Sequence, residues 1–210
     1  DANLPFQRWQ AALEELAHRG PLQVAHLDDT SATAFDFLGD VKVTVLGPRL
    51  AFLRDGTPVL PLLGQAEGGT SISAARTING HSIVLRLSYG NVNVLLTGDL
   101  HAEMQDKLVE RKVTLRSEVL KVPHHGSDDV SSHFVDAVAP LVSVISAGDE
   151  DARRDYLHPR ANLLAMLGRV RRGAEPVVFI TNLAAFDRWA GEAFYAIRDG
   201  DAWKPDLARG

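Results

Sequence analysis

The chain predicts an α+β fold, and three observations carry that expectation. Apolar runs of strand length come first in pairs joined by Gly- and Asn-containing turns, then alternate with segments of helical period. The helical segments are too few to cover both faces of a large parallel sheet. Several of the apolar runs end abruptly at Gly, Asp or His. Sheets packed together with helices outside are the architecture this pattern favours. With 210 residues, 45% of them hydrophobic, the chain has enough apolar surface for one sizeable core, so a single domain over 1–210 is expected.

Residues 6–18 (FQRWQAALEELAH) carry Trp9, Leu13 and Leu16 at helical spacing and stop at Arg19-Gly20-Pro21, predicting a short amphipathic helix. Residues 22–29 read as a strand that holds His26; a lone His in an apolar run is better explained as a structural residue than as a ligand. Residues 35–46 (FDFLGDVKVTVL) predict a strand pair turning at Gly39-Asp40, with Val41, Val43 and Val45 alternating in its second half. From 54 to 78 the composition shifts to Gly, Pro, Ser and Thr without periodicity, which predicts a mobile loop beside the site.

Residues 83–97 (IVLRLSYGNVNVLLT) predict a hairpin with its turn at Tyr89-Gly90-Asn91. A helix follows over 102–110, then a strand over 118–122 (EVLKV), a helix through 134–138 capped by Ser131-Ser132, and a buried strand over 141–146. A loop over 147–157 leads to His158-Pro159 and a helix over 161–169. Closing strands are expected at 176–181 and 193–198, the latter before the turn Asp199-Gly200-Asp201.

Composition narrows the function. The formal charge of −5 and a sequence pI of about 5.9 exclude a global basic field for nucleic acid, so any such contact is local. Arg153, Arg154, Arg160, Arg169, Arg171 and Arg172 form the best local basic patch, with a solvated face as the preferred explanation. The absence of cysteine rules out disulfides and thiolate zinc sites, leaving His and carboxylate as metal ligands. No membrane segment or signal peptide is visible, and a cytoplasmic location is expected. The chain starts at Asp1, which suggests an artificial boundary or a cleavage product.

The residues that could carry chemistry lie between 79 and 127, with one further histidine downstream. Asp99 ends one strand and the pair His124-His125 ends another; strands hold ligands more tightly than loops do. Alone, Asp99 would be read as a turn residue. Consecutive residues leaving a strand point to opposite sides, so one of the two histidines can ligate while the other donates hydrogen bonds. His81 opens the hairpin, and His158 is fixed by Pro159 in a position where a plain turn is the simpler reading. His101 and His133 occupy helix starts and are expected at the surface. Asp99 between two ions, with imidazoles from His81 and from His124 or His158, would suit phosphodiester or ester hydrolysis, because two ions stabilise both attacking and leaving oxygens. Two ions require more ligands than these residues supply.

The strings NGHSIVLRLSYGNVNVLLTGD, EVLKVPHHGS and VSVISAG with a later HP resemble the metallo-β-lactamase-fold hydrolases, most closely the nuclease-like domain of ComEC competence DNA-uptake proteins. The resemblance covers roughly residues 35–198, apart from the 54–78 loop, and keeps the family's motif order. It implies an αββα sandwich with Asp99 as the bridging aspartate. His124 matches a metal-site histidine, His158 a histidine for metal or phosphate, and His81 the position of a middle metal ligand. His125, Ser127 and Asn79 fall at substrate-facing positions, and Asn79 with Ser82 fits an Asn-x-x-Ser pattern. Two divalent ions, zinc or manganese, are the implied cofactors.

The departure is the family's first motif, His-x-His-x-Asp-His, which this chain lacks. The chain therefore resembles the C-terminal two-thirds of such a domain. The resemblance implies a metal-dependent nuclease or phosphodiesterase, a DNase above all, whose site is completed by an N-terminal segment of the same precursor or by a second chain. Cleavage near Asp1 by an activating protease would link the two. The alternatives are a noncatalytic binding or regulatory subunit and a hydrolase of small esters.

Overall fold

A computed structural model describes residues 4–21, 26–31, 35–63, 74–147 and 158–181, together with the backbone of three strands between 187 and 206. Its centre is a six-stranded mixed sheet built from β1 (Lys42–Gly47), β4 (Val84–Tyr89), β5 (Val92–Leu96), β6 (Val119–Lys121), β7 (Val142–Ile145) and β8 (Val177–Ile180), in that spatial order. β1, β4 and β5 pair antiparallel, whereas β5 through β8 run parallel. Two short strands, β2 (Ala51–Phe52) and β3 (Pro58–Val59), form a ribbon of their own, and β9 (Asp187–Trp189), β10 (Glu192–Asp199) and β11 (Ala202–Asp206) form a separate antiparallel sheet. The mixed α/β composition agrees with the α+β expectation.

The parallel strands need crossovers, and each of the three contains a helix. α3 (Ala102–Glu110) lies between β5 and β6, α4 (Ser132–Val138) between β6 and β7, and α5 (Ala161–Leu167) between β7 and β8. Ser131 caps α4 by accepting a hydrogen bond from the Phe134 amide at 3.3 Å, as its sequence position predicts. Leu95, Leu120 and Ile145 from successive strands join Leu108, Phe134, Val135, Val138, Leu163 and Leu167 in one buried cluster. This is the core, and it covers one face of the sheet.

The other face is also apolar. Strand register places Val43, Leu87, Val94, Val119, Val142 and Val177 in one cross-strand row, and Val45, Leu85, Leu96, Lys121, Val144 and Phe179 in the next. None of these residues belongs to the helix-side cluster, and Phe179 is 59% exposed. A sheet with parallel strands is normally covered on both sides, so two such rows have the composition of an interior face.

An ion pair closes the edge of this sheet away from the strand ends. Glu118 accepts from the Asn93 amide at 2.7 Å and its side-chain nitrogen at 2.8 Å, and pairs with Arg172 at 2.5 Å. Arg172 also donates to Ser117 O, so it serves the fold rather than a basic patch. Although desolvation alone would raise it, the Glu118 pKa is lowered from 4.5 to about 2 by the bonds from Asn93 and Arg172. A depressed folded-state pKa gives stability that is present above pH 4.5 and is lost as pH falls toward 2. After allowance for solvent screening, Glu118→Gln should remove about 1 to 2 kcal/mol at neutral pH and flatten the urea-midpoint profile across that acid window.

Several expectations are corrected. Residues 26–31 form no strand: Asp28 accepts from the amide and hydroxyl of Thr30, and a side chain that bonds its own backbone two residues on makes a turn. The first half of the expected 35–46 strand pair is a single 3₁₀ turn over Asp36–Leu38, with Phe37 80% exposed, so β1 pairs with β4 instead. The 54–78 stretch is not wholly loop: it contains β3 and enters α2 (Ala74–Gly80), while 64–73 lie outside the described residues, as do Arg153 and Arg154. α1 (Leu4–Arg19) forms as expected, yet none of its residues is buried. No described helix is long and apolar enough to cross a membrane.

Candidate functional site

The carboxyl ends of β5, β6 and β7 lie side by side, and the chain leaves each of them at a residue with polar chemistry. β5 leads through Thr97-Gly98 to Asp99, and the Thr97 hydroxyl donates to Lys121 O on β6 at 2.8 Å. β6 leads through Val122-Pro123 to the histidine pair, where the His124 amide donates to Gly98 O at 3.1 Å. One side-chain and one backbone hydrogen bond therefore hold the aspartate and histidine loops together. His124 and His125 both have positive φ, at 47° and 55°, a conformation non-glycine residues rarely adopt and one concentrated at functional sites.

The opposite-sides expectation assumes an extended exit from the strand; the left-handed turn instead leaves the two rings close together, with centroids 6.5 Å apart. His125 Nδ1 donates to the Ser146 carbonyl after β7 at 2.7 Å, so Nε2 is the atom facing Asp99 Oδ1, 3.6 Å away. The His124 ring packs edge-on against His101 with centroids 5.3 Å apart and lies 6.1 Å from the His158 ring. His124 Nδ1 is buried without a hydrogen-bond partner among the described residues. Burial lowers the His124 pKa, with the Asp99 charge opposing, which favours the neutral imidazole. His158 is lowered too, by burial first and then by the charge of Arg160.

Asp99 is braced from the β4 side. Its amide donates to Ser82 Oγ at 3.1 Å, and Ser82 Oγ donates to Asn79 O at 2.7 Å. Asn79 thus holds the site through its carbonyl, adding a structural duty to its expected place near substrate. His81 Nε2 donates to Pro61 O at 2.7 Å, which ties the ring to the 61–63 segment and leaves Nδ1 buried without a partner. Ser127 is buried, and its hydroxyl accepts from the Asp129 amide at 3.2 Å, a loop-ordering contact. Lys121, whose pKa burial lowers against the charge of Asp99, is the one cation in the second apolar row and donates to Val122 O.

One histidine expected at the surface belongs to this cluster. His101 is 8% exposed, and its Nδ1 donates to Asp129 Oδ2 at 2.6 Å. His133, by contrast, is exposed as expected. The Asp129 partnership spans 28 residues, so no local spacing signals it. What the sequence does offer is the placement of both residues just after a ligand-bearing strand end.

Orphaned imidazole nitrogens are what a metal would satisfy, and His81 Nδ1, His101 Nε2 and His124 Nδ1 are of that type. The donor chemistry fits a borderline divalent ion. Among the described residues, however, no group of three or more His, Asp or Glu side chains is arranged to hold an ion unaided. A cavity of about 300 Å³ between β1 and α3 contains Ser82 but none of these histidines, and a second of about 470 Å³ beside β1 contains none of them either. The cluster lies at the strand ends, outside both cavities.

The fold and site thus define a mixed α/β protein with imidazoles and a carboxylate gathered beyond the ends of parallel strands. No family model matches the chain. Three of its relatives are competence-related proteins: it is 34% identical to ComE operon protein 3 of Bacillus subtilis over 92 residues, covering 43% of this chain and 12% of the relative. It is 41% identical to competence protein ComA of Neisseria gonorrhoeae over 95 residues, covering 44% and 13%. It is 38% identical to recombination protein 2 of Haemophilus influenzae over 74 residues, covering 35% and 9%. The chain spans about a tenth of the length of these curated relatives.

Proposed function

We propose that this chain is the C-terminal part of a metallo-β-lactamase-fold nuclease or phosphodiesterase that acts on DNA during uptake. The observation that carries this reading is the convergence of Asp99 with His124 and His125 at two adjacent strand ends, beside Ser146 at a third, with orphaned imidazole nitrogens next to them. The competence-related relatives support a nucleic-acid substrate. The second apolar sheet face supports a sandwich, because it offers a hydrophobic floor for another layer.

Asp99 and His124 would hold zinc or manganese, with His81 and His158 contributing from either side. Such an ion, when bound, lowers the pKa of water and neutralises charge developing on a phosphate. His125 is fixed by Ser146 so that Nε2 stays beside Asp99, and Ser82 with Asn79 holds the Asp99 backbone in place. Arg160, at the start of α5, gives the His158 side of the site a cation for phosphate. A polypeptide carrying His-x-His-x-Asp-His would supply the remaining ligands. A noncatalytic binding role is the second reading, favoured by the lack of a complete ligand group among the described residues.

Plasmid degradation in Mn²⁺ or Zn²⁺, by the chain together with every polypeptide that copurifies with it, tests the proposal. Asp99→Ala should lower the rate by more than about 100-fold, since even outer-shell changes at metal sites cost 10- to 100-fold. Degradation unaffected by Asp99→Ala would overturn the assignment. A metal-loaded complex that binds DNA and never cuts it would favour the second reading.

A further inference from the structure

The structure assigns a metal ligand that the sequence motifs omit: we propose that His101 coordinates a divalent transition metal through Nε2, next to His124, and that Asp129 is its positioning carboxylate. The inference rests on the metal reading of the Asp99–His124 site and extends it to a residue outside the recognised motifs. Three independent features lead to it.

The first is the state of the ring. A carboxylate only accepts, so the 2.6 Å contact with Asp129 Oδ2 puts a hydrogen on His101 Nδ1 and makes Nε2 the ring nitrogen whose lone pair can coordinate. Metal-ligating histidines are commonly held this way, with the far nitrogen bonded to a carboxylate that fixes tautomer and ring orientation. The second feature is the burial of that lone pair. His101 is more than nine-tenths buried, yet Nε2 has no hydrogen-bond partner among the described residues. An orphaned buried acceptor costs about 1 to 3 kcal/mol unless something else occupies it.

The third feature is the neighbour. His124 Nδ1 is orphaned in the same way, and the two rings meet edge to face at 5.3 Å between centroids. Two adjacent imidazoles, each with a buried nitrogen that lacks a hydrogen-bond partner among the described residues, are placed to share one cation. Asp129 is in turn held by the Ser127 hydroxyl at its amide, while its Oδ1 accepts from the Ala102 amide at 3.3 Å, so both ends of the dyad are pinned. That last bond also caps α3, which makes a purely structural dyad the competing explanation.

Zn²⁺ alone is the probe that separates them. In the full 210-residue chain labelled with ¹⁵N-histidine, Zn²⁺ should shift His101 Nε2 and His124 Nδ1 together, saturating at the same concentration. Equilibrium dialysis should show Zn²⁺ affinity falling at least tenfold in His101→Gln and 10- to 100-fold in Asp129→Asn, which retains an acceptor for Nδ1. Thermal unfolding of both variants confirms that they fold. A His124 shift without a His101 shift, or affinity unchanged in both folded variants, overturns the inference and leaves the Asp99–His124 reading intact. No Zn²⁺ uptake by the chain together with every polypeptide that copurifies with it overturns both. Joint shifts in a protein that never degrades DNA would support the His101 ligand while removing the nuclease.

Discussion

Gly126→Ala is expected to destabilise the protein by about 3 kcal/mol and to abolish whatever chemistry the histidine cluster performs. The residue closes the His124-His125 turn at φ +88°, a conformation that costs an L-residue about 1 to 2 kcal/mol. A Cβ there would also lie 2.7 Å from Pro159 Cβ and 3.0 Å from both Pro159 Cα and Ile145 Cγ2. A proline ring and a buried branched side chain have little room to yield, so overpacking adds about 1 to 3 kcal/mol. The Arg160 amide donates to Gly126 O at 2.8 Å, which locks this turn to the segment carrying His158. Any shift that relieves the clash therefore separates His124 from His158. Gly90→Ala is the control: φ is +54° and nothing lies within 4 Å, so only the conformational cost remains. Urea midpoints for the two variants check the difference, and equal losses would show that the 126–159 contact yields without cost.

Phe134→Ala should cost about 3 to 5 kcal/mol, the range for emptying a fully buried aromatic site. Phe134 has no exposed surface and belongs to the cluster shared by β5, β6, β7, α3 and α5. Its amide is also the donor capped by Ser131, so loss of the ring loosens α4 where the cap holds it. In a chain of this size each kcal/mol moves the melting temperature by about 2 to 4 °C, and a drop on the order of 10 °C is expected by calorimetry. Phe179→Ala removes the same side chain from the opposite sheet face, where it is 59% exposed, and should cost less than about 1 kcal/mol in the isolated chain. If a second layer covers that face in a larger assembly, the Phe179 penalty rises there and the Phe134 penalty does not.

Much of this architecture was legible because its signals are local. The 83–97 alternation with Gly90-Asn91 at its centre became β4 and β5, and the 102–110 pattern became α3 without adjustment. Ser131 acted as the cap its position suggests. The misreadings came where local signals compete with distant ones. Residues 35–38 have aromatic strand character, but β1 finds its partner in β4, so that segment winds into a turn. The closing strands at 176–181 and 193–198 correspond to β8 and β10, while β9 and β11, which pair on either side of β10, carry no apolar run of strand length.

By itself, the sequence determined which stretches become strands and helices and which strand ends carry Asp99, His124 and His125. Period, turn chemistry and capping are written within a few residues of where they act. Only the tertiary structure decided which ends lie together, that His125 spends Nδ1 on Ser146, and that His101 is buried against Asp129 rather than exposed at a helix start. Those outcomes depend on sheet order and on contacts across 21 to 28 residues. Burial and hydrogen-bond partnership are set by packing, which residue spacing along the chain does not encode.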